Sequence, residues 1–464
     1  MENNSKFQRK GKSMNIIIVG SGKVGEALAT QLNKEGNDVT IIDENADKVR
    51  EIANKLDIMG VIGNGASRET QKEAGIDDTD LLIAVTGTDE INLLACLVAK
   101  KSAGCRTIAR LKNPDYNSDA IYFKDELGLA MVINPEEAAA KEIARILNFP
   151  SAMKIESFAK GRVELLTFKI AEGSRLIGMS IKEVATKYKS HVTFCTIERD
   201  NDAYIANGNF VFEEKDTVSF IASSKDALDF FAGIHSKIKP IKDVLIVGGG
   251  ETTHYLCALL ERSGISVKVI EKSGERCTDL AVEFGKATII NGDPADEDTL
   301  REEGVAQASA FVALTGLDEE NILLSLFAKR TGSRKVITKI NRIEYDDIIN
   351  HLDLDSIVYP KNITADMIVS YVRAVNNTRG SNIETLYKIV KGKAEAAEFT
   401  VGEGSPIIGK PLSELSFKPN VLIAAIQRGG AQITPRGQSI IEAGDSVIVV
   451  TKGIVLEDVS DILK

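Results

Sequence analysis

The 464-residue sequence contains no tryptophan, and aromatic residues make up only 5% of it. Proteins that bind single-stranded nucleic acid usually stack bases on aromatic side chains, so this low content disfavours that class. Lys and Arg total 57 against 67 Asp and Glu, which gives a net charge of −10. A nucleic-acid-binding protein usually carries a basic excess. The composition therefore predicts no nucleic-acid partner and a core built from Ile, Val, Leu and Ala.

Cysteine and histidine are also scarce, with five and four residues. No two cysteines have C-x-x-C spacing and no histidines have metal-ligand spacing, which disfavours a disulfide framework and a metal site. No apolar run reaches the roughly 18–20 residues of a membrane helix. Residues 1–13 are polar and lack the apolar core of a secretory signal. We therefore expect a soluble intracellular protein with a loose N-terminal tail and no bound metal.

The sequence repeats itself at an offset of 228 to 231 residues. Repetition at a fixed offset is the signature of duplicated structural units. The matches extend through both halves with few insertions, so we interpret the chain as a tandem duplication. Examples of matched pairs are Gly20 and Gly248, Asp43 and Glu271, Thr86 and Thr315, and Arg199 and Arg428.

Each half begins with apolar strands that alternate with amphipathic helical patterns, which is typical of a parallel sheet covered on both faces. A shorter region of alternating strands and turns follows. The predicted fold class is therefore α/β, a tandem duplication of a Rossmann-like doubly wound parallel-sheet domain, each followed by a small α+β domain. The predicted strands of the first domain are Asn15–Val19, Asp38–Ile42, Met59–Ile62, Leu81–Val85 and Arg106–Arg110.

The same pattern predicts seven segments, with a proline at or near the start of each connecting helix. They are a tail at 1–13, Rossmann-like domains at 14–134 and 241–359, connecting helices at 135–152 and 360–382, and small domains at 153–235 and 383–464.

A glycine-rich segment, Gly20-Ser21-Gly22-Lys23-Val24-Gly25, follows the first predicted strand. It fits the G-x-G-x-x-G pattern between a strand and a helix, which is the context that a dinucleotide-binding loop requires. Its glycines permit a tight turn, close approach of a phosphate, and close packing of the helix on the sheet. Because the free N–H groups of a helix N-terminus attract anions, this segment predicts a pyrophosphate site.

Polar residues at other strand ends are expected around the same crevice. Asp43, 18 residues after Gly25, can accept hydrogen bonds from ribose hydroxyls and would repel a 2′-phosphate, which favours NAD or an adenosine nucleotide over NADP. The third strand is followed by Asn64 and the fourth by Thr86-Gly87. The fifth strand ends at Arg110, which can reach a phosphate. A structural alternative stays open, in which Asn64 and Gly87 only form turns and Arg110 only pairs with a surface carboxylate.

The second half keeps this arrangement in altered form. Thr253 replaces the third glycine, and its Cβ is expected to push the helix away from the strand. Lys339 replaces Arg110 and lacks its bidentate geometry. We predict a second nucleotide site with a different affinity or preference. Its candidate residues are Gly248, Gly249, Gly250, Glu251, Thr252, Glu271, Asp293, Thr315, Gly316 and Lys339.

The sequence offers no clear catalytic group. A dehydrogenase needs a general acid or base, and His254 at the second glycine-loop helix is more simply a helix-surface residue. No P-loop lysine or nucleophile elbow is present. We therefore predict a non-enzymatic protein. An NAD-dependent oxidoreductase and a redox-sensing DNA-binding regulator stay open as alternatives, although the missing acid–base pair and the net charge argue against them.

Several motifs together resemble the TrkA family of potassium-uptake regulators, whose members carry two tandem RCK units. The resemblance runs from Met14 to the C-terminus and includes E-G-S-x-x-x-G turns in both small domains. The other motifs are I-I-I-V-G-S-G-K-V-G at Ile16–Gly25, D-E-N at Asp43–Asn45, G-N-G at Gly63–Gly65, T-G-T-D-E-I-N at Thr86–Asn92, A-R-L-K-N-P-D-Y at Ala109–Tyr116, and T-P-R-G with G-D at Thr434–Gly437 and Gly444–Asp445.

This resemblance implies a cytoplasmic gating subunit, peripheral on the inner face of the cell membrane. It implies binding of NAD(H), and often of ATP or ADP. The implied partners are a membrane potassium-translocating subunit of the TrkH or TrkG type and further copies of the chain, in a dimer to tetramer ring. In the first half the resemblance assigns the site to Gly20–Gly25, Asp43, Thr86, Gly87 and Arg110.

Overall fold

The computed structural model describes residues 13–113, 116, 120–149, 152, 154–159, 162–188, 191–200, 202–234, 241–341, 349, 352, 354–377, 383–390, 393–454, 456 and 458–464. These residues form two compact units, and each unit takes residues from both halves of the chain. The first unit comprises the described residues of Met1–Leu147 and Ile241–Val369, and the second those of Asn148–Pro240 and Ser370–Lys464.

The first unit contains a six-stranded parallel sheet of order β3-β2-β1-β4-β5-β6, the doubly wound order that the sequence predicts. Ile16, Ile17 and Ile18 are at most 1% exposed because helices cover both faces of the sheet. Each of the five predicted strands is present with ends that differ by no more than one residue. The strands are β1 (Asn15–Val19), β2 (Asp38–Asp43), β3 (Met59–Ile62), β4 (Leu81–Ala84), β5 (Arg106–Arg110) and β6 (Met131–Ile133).

The helices around this sheet begin and end at suitable residues. The side chain of Asn45 accepts a hydrogen bond from the Lys48 N–H at 3.1 Å and so caps α2. Gly104, with a φ of 66°, ends α4 in the left-handed conformation that favours glycine. The helices are α1 (Lys23–Lys34), α2 (Ala46–Leu56), α3 (Arg68–Glu73), α4 (Asp89–Ala103), α5 (Ala120–Glu126) and α6 (Pro135–Asn148).

The first small domain is a five-stranded antiparallel sheet in the second unit, of order β10-β9-β11-β8-β7. Two helices accompany it, and its phenylalanine-rich core includes Phe168, Phe220 and Phe230. The elements are β7 (Lys154–Phe158), β8 (Val163–Lys169), α7 (Ile181–Tyr188), β9 (Thr193–Arg199), β10 (Asp202–Ile205), β11 (Thr217–Ala222) and α8 (Ser224–Ile234).

The second half repeats the parallel sheet in the first unit, with the order β14-β13-β12-β15-β16-β17. Its strands are β12 (Asp243–Val247), β13 (Ser266–Glu271), β14 (Thr288–Asn291), β15 (Ala310–Ala313), β16 (Val336–Lys339) and β17 (Ser356–Val358). Its helices are α9 (Glu251–Arg262), α10 (Gly274–Glu283), α11 (Glu297–Glu302), α12 (Asp318–Thr331) and α13 (Pro360–Asn377).

The second small domain repeats the antiparallel sheet, with the order β18-β19-β22-β20-β21. The two small domains share a core within the second unit, where Phe158 and Leu165 of the first belong to the same apolar cluster as Ala396 and Ile448 of the second. The strands are β18 (Ile383–Ile389), β19 (Ala394–Thr400), β20 (Val421–Arg428), β21 (Ala431–Ile433) and β22 (Ser446–Lys452).

The repeated Arg and Asp positions of the small domains are structural. Arg199 donates two hydrogen bonds to the carboxylate of Asp216, at 2.8 and 2.7 Å, and Arg428 donates two to Asp445, both at 2.8 Å. Both carboxylates are at most 2% exposed. A buried carboxylate requires such paired donors, so the duplication of these residues reflects a duplicated fold.

Helix α6 joins the two halves of the first unit. It begins in the first half, yet its buried residues Ala139, Ala140, Ile143 and Leu147 pack in the core of the second parallel sheet. Full burial of one such Ile or Leu side chain is worth about 1.5–3 kcal/mol. The second parallel sheet therefore depends on a helix from the first half of the chain.

Among the described residues, no helix combines the length and the apolar character required to cross a membrane. All five cysteines are buried and unpaired with one another.

Candidate nucleotide-binding site

The glycine-rich loop connects β1 to α1 in the backbone geometry that its glycines permit. Gly20 has a φ of 112°, and a Cβ there would lie 3.0 Å from the backbone of Val85 and Thr86. A Cβ at Gly25 would overlap the carbonyl oxygen of Gly20. No side chain caps the helix at Gly22, so the first backbone N–H groups of α1 can face an anion.

Asp43 fixes the loop from the end of β2. Its carboxylate accepts hydrogen bonds from the backbone N–H groups of Ser21 at 2.6 Å and Asn45 at 2.9 Å. Partial burial raises the pKa of this carboxyl, but the hydrogen bonds outweigh that effect, and the pKa lies below its ordinary value of 3.8. Asp43 is therefore ionised at neutral pH and can also accept hydrogen bonds from a ribose.

A cleft of about 530 Å3 lies at this edge of the first sheet. The ends of β1, β2, β4 and β5 and the loop after β3 border this cleft. It lies at the topological switch point, where ligands of such sheets bind. Ser21 and Gly25 support the loop, through the bond to Asp43 and the contact with Gly20. The predicted site residues that line the cleft are Gly20, Gly22, Lys23, Val24, Asp43, Asn64, Thr86, Gly87 and Arg110.

The structural and the ligand-binding interpretations of Asn64 and Arg110 are compatible. Asn64 Oδ1 accepts a hydrogen bond from the Ala66 N–H at 2.8 Å in a turn, and the residue also lines the cleft. Arg110 donates to Glu136 at 3.4 Å, with only 17% of its side chain exposed. The Nε of Arg110 is buried without a hydrogen-bond partner, so this guanidinium has donor capacity left for a ligand.

The lack of a side chain at Gly87 affects the space in the cleft, and not only the turn. Its φ does not lie in the left-handed range, and a Cβ there would meet no atom within 4 Å. The backbone could therefore accept another residue, and the missing side chain leaves space in the cleft that Gly87 lines.

Two buried residues of α4 that were not predicted as site residues hold the cleft together. Asn92 accepts hydrogen bonds from the N–H and hydroxyl of Thr86, at 2.7 and 2.8 Å, and donates to the Arg110 carbonyl at 2.9 Å. Asp89 accepts from the N–H groups of Lys112 and Asn113, at 3.0 and 2.9 Å. They fix the ends of β4 and β5. The repeated T-G-x-D-E-x-N spacing could have indicated both residues, because Asn321 and Asp318 also bond the strand ends of the second copy, at Thr315, Lys339 and Asn341.

The second half also contributes to this cleft. Asn341, which follows β16, and Pro360 and Lys361, which begin α13, line it alongside the first-half residues. The cleft therefore belongs to both halves of the first unit, and its lining includes the cations Lys23, Lys48, Arg110 and Lys361.

The second glycine loop has the same backbone plan. Gly248 has a φ of 94°, and the carboxylate of Glu271 accepts hydrogen bonds from the N–H groups of Gly249 at 2.6 Å and Ser273 at 2.7 Å. Thr253 is fully buried and its hydroxyl donates to the Gly248 carbonyl at 2.5 Å. The first copy has no room for a Cβ at the equivalent Gly25. The displacement of the second-half helix stays a prediction.

Side chains of the second half bond to backbone carbonyl groups around the second glycine loop. Arg276 Nε donates to the Gly249 carbonyl at 2.6 Å, and its guanidinium lies 3.9 Å from Glu251. Lys339 donates to the Leu314 carbonyl at 3.2 Å. Burial lowers the pKa of the Lys339 ammonium, although Glu136 and Asp318 oppose this effect.

The remaining predicted residues of the second half lie at the same edge of its sheet. Asp293 accepts from the Ala295 N–H at 2.9 Å in a turn like that of Asn64. Thr315 is held by Asn321, and Thr252 lies buried in the first turn of α9. The side chain of His254 is 16% exposed, and its Nδ1 lies 3.0 Å from Oε2 of Glu283. It is therefore more enclosed than the predicted helix-surface position.

The motifs and the duplicated architecture agree with comparisons against known families. The TrkA-N domain model matches residues 16–135 and 244–360, and the TrkA-C domain model matches 165–233 and 396–464. The chain belongs to the TrkA family. The family resemblance inferred from the sequence is thereby confirmed, with both domain types present twice.

Relatives in this family match almost end to end. Trk system potassium uptake protein TrkA homolog 1 of Methanosarcina mazei is 33% identical, over 97% of this chain and 100% of that protein. TrkA of Vibrio alginolyticus is 32% identical, over 94% of this chain and 95% of that protein. Among solved structures, the GsuK channel bound to NAD has a TM-score of 0.63 at 15% identity, and the match covers 96% of this chain and 78% of that one. The structural likeness supports the RCK-type fold of this TrkA family member.

Proposed function

We propose that this TrkA family member is a nucleotide-binding regulatory subunit that gates potassium uptake through a membrane partner. The observation that carries the proposal is the cleft of the first half, where a glycine loop, an ionised Asp43 and the buried donor Arg110 surround a space of about 530 Å3. The names of its relatives, Trk system potassium uptake proteins, supply the transport process.

The ligand that fits this cleft best is NAD(H), with ATP or ADP as further candidates. The uncapped start of α1 suits a phosphate group, and Asp43 suits a free ribose diol and repels a 2′-phosphate. The proposed binding residues of the first half are Gly20, Ser21, Gly22, Lys23, Val24, Gly25, Asp43, Asn64, Thr86, Gly87 and Arg110.

A regulatory role is preferred to catalysis because of the chemistry of the lining. The described residues that line the cleft include no histidine, cysteine or tyrosine. The imidazole, thiol and phenol groups that often transfer protons are thus missing among these residues, and the lining carboxylates Asp43 and Glu136 already bond the Ser21 N–H and Arg110. We therefore propose a non-enzymatic protein.

Gating requires two conformations with different affinities for the nucleotide, because a ligand shifts an equilibrium only by that difference. The cleft takes residues from both halves of the first unit, so closure around a nucleotide would change how the halves meet. Such rigid-body shifts, in a dimer to tetramer ring docked on the cytoplasmic face of a TrkH- or TrkG-type subunit, would open or close the potassium path.

The proposal is tested by calorimetric titration of the full chain with NADH, NAD, ATP and ADP. Asp43→Ala should abolish or strongly weaken binding, whereas Asp47→Ala, a carboxylate whose side chain is 97% exposed, should not. Rubidium uptake into vesicles that hold the membrane subunit should then depend on the bound nucleotide. Binding without any effect on uptake would contradict the gating role, and the absence of binding would contradict the ligand.

A further inference from the structure

The packed faces of the two small domains differ at one equivalent position, where the first has Thr167 and the second has Glu398. Glu398 is only 2% exposed. Its carboxylate accepts a hydrogen bond from the Ala159 N–H at 3.1 Å and another from the Ser446 hydroxyl at 2.6 Å. A buried carboxylate requires such donors, and here they come from both small domains.

The same two donors are repeated around the first small domain, but the carboxylate is not. Val390 and Thr217 correspond by the repeat to the two residues that bond Glu398. Val390 and its counterpart Ala159 both have a φ of 50°, so the backbone conformation is repeated as well. Within the described part of the chain, neither the Val390 N–H nor the Thr217 hydroxyl donates a hydrogen bond. Two donors therefore surround a position from which Thr167 offers no carboxylate.

A cavity of about 220 Å3 lies at this position, and Thr167, Thr217 and Val390 line it. The hydroxyl of Thr167 lies 2.9 Å from that of Ser219, and Ile389 contributes an apolar wall. Pockets for drug-sized ligands usually measure about 300–1,000 Å3, so this cavity suits a smaller molecule. The comparison of the two copies indicates that such a molecule would place a carboxylate where Glu398 places its own.

The charged residues of the cavity exclude a simple anion. Glu156, Glu198 and Lys154 line it, and Lys154 Nζ lies 2.6 Å from Glu156 Oε1. The second small domain has the uncharged Tyr387 and Gln427 in place of the two glutamates. Two carboxylates against one ammonium give the lining an excess of negative charge, which repels a lone carboxylate and attracts an ammonium group. A ligand that carries both groups fits the donors and the charge together.

We propose that this cavity binds a small neutral α-amino acid between the two small domains. The carboxylate of the ligand accepts from the Val390 N–H and the Thr217 hydroxyl, and its ammonium faces Glu156 and Glu198. This site is separate from the nucleotide cleft and does not depend on nucleotide binding. Because both small domains line the cavity, a bound ligand stabilises their packing, since any ligand that binds only the folded state does so. The site would give a regulatory protein a second input.

The test is calorimetric titration of the full chain with glycine, L-alanine, L-serine and L-valine, one at a time. At least one should bind saturably and raise the melting temperature. Acetate and propylamine each carry only one of the two charged groups, so they should bind about tenfold more weakly or not at all. Thr167→Glu supplies the carboxylate of the second copy and should abolish amino-acid binding. Glu198→Gln introduces the residue of the second copy and should weaken binding about tenfold.

The control is Glu172→Gln, at an exposed carboxylate of the first small domain outside the cavity, which should bind like wild type. The proposal is wrong if none of the four amino acids binds, or if acetate or propylamine binds as tightly as the best of them. Unchanged binding in Thr167→Glu would show that the amino acid lies elsewhere. Circular dichroism identifies a variant that fails to fold. If Thr167→Glu fails, the comparison of Glu198→Gln with Glu172→Gln decides, and equal affinities of these two variants would overturn the site.

Discussion

At the scale of single residues, Asp43 links the stability of the glycine loop to its proposed ligand. Its folded pKa lies below the ordinary value of 3.8, because the N–H bonds from Ser21 and Asn45 outweigh the effect of burial. A carboxyl with a lowered folded pKa stabilises the fold fully above its unfolded pKa, and this contribution is lost as the pH falls through the folded pKa. We expect Asp43→Asn to cost about 1.5–3 kcal/mol of unfolding free energy near neutral pH, a typical value for hydrogen bonds to a charged group.

The measurement is urea unfolding of both proteins over a pH series. The difference between wild type and Asp43→Asn should stay constant down to about pH 4 and shrink steadily below it. Asp47→Asn serves as the control, since the Asp47 side chain is 97% exposed; Asp47 lies in the first turn of α2, so the stability of this variant should stay within about 1 kcal/mol of wild type. A difference for Asp43→Asn that does not change with pH would contradict the assigned cause.

Gly25 of the glycine loop and Gly87 of the loop after β4 differ in whether they can accept a side chain. A Cβ at Gly25 would overlap the Gly20 carbonyl oxygen, whereas a Cβ at Gly87 would meet nothing within 4 Å. We expect Gly25→Ala to destabilise the first unit by about 1–3 kcal/mol, a typical cost of overpacking. Gly87→Ala should stay within about 0.5 kcal/mol of wild type. Thermal unfolding of the two variants checks this, and equal melting temperatures would contradict the close contact at Gly25.

At the scale of elements, the sequence was most informative where a pattern is local. The strands of the first domain and the glycine loop follow from apolar runs, helix starts and turn residues, all of which act over a few residues. Asn92 and Asp89 were missed as site residues because a polar residue in a helix does not show which strand ends it bonds. The domain boundaries and the ligand-binding roles of the site residues stay predictions.

Contacts between the two halves could not be predicted from the sequence. The sequence predicts a connecting helix at 135–152, but a helical pattern does not say which sheet covers the apolar face of the helix. In the same way, Asn341 and Lys361 belong to the first cleft only because the halves of the first unit pack together. Long-range packing of this kind depends on the fold as a whole.

Helix α6 makes the two parallel sheets of the first unit depend on each other. Ile143 is fully buried in the core of the second sheet. Ile143→Ala should cost about 2–5 kcal/mol, the usual range for such a truncation. Hydrogen exchange should then speed up in the second-half strands β12, β13 and β15, although the substitution lies in the first half. Lys141→Ala, at an exposed position of the same helix, should cost no more than about 0.5 kcal/mol, and faster exchange confined to the first sheet would contradict this packing.

At the scale of the whole molecule, the duplication has produced two glycine loops that differ in accessibility. The first borders an open cleft, while Arg276 and Lys339 already bond carbonyl groups at the second. A nucleotide at the second loop must displace or rearrange these side chains, so its affinity is reduced by the cost of that change.

We therefore expect each chain to bind one nucleotide tightly and a second more weakly. Calorimetry should resolve two phases, with the tight phase lost in Asp43→Ala and the weak phase lost in Glu271→Ala. Arg276→Ala removes the hydrogen bond to the Gly249 carbonyl, so it should strengthen the weak phase and leave the tight phase unchanged. Two equal sites in wild type, or a tight phase that follows Glu271 and not Asp43, would show that the first cleft is not the principal site. Unequal affinities would let such a regulator respond to nucleotide over a wider range of concentration than two identical sites would allow.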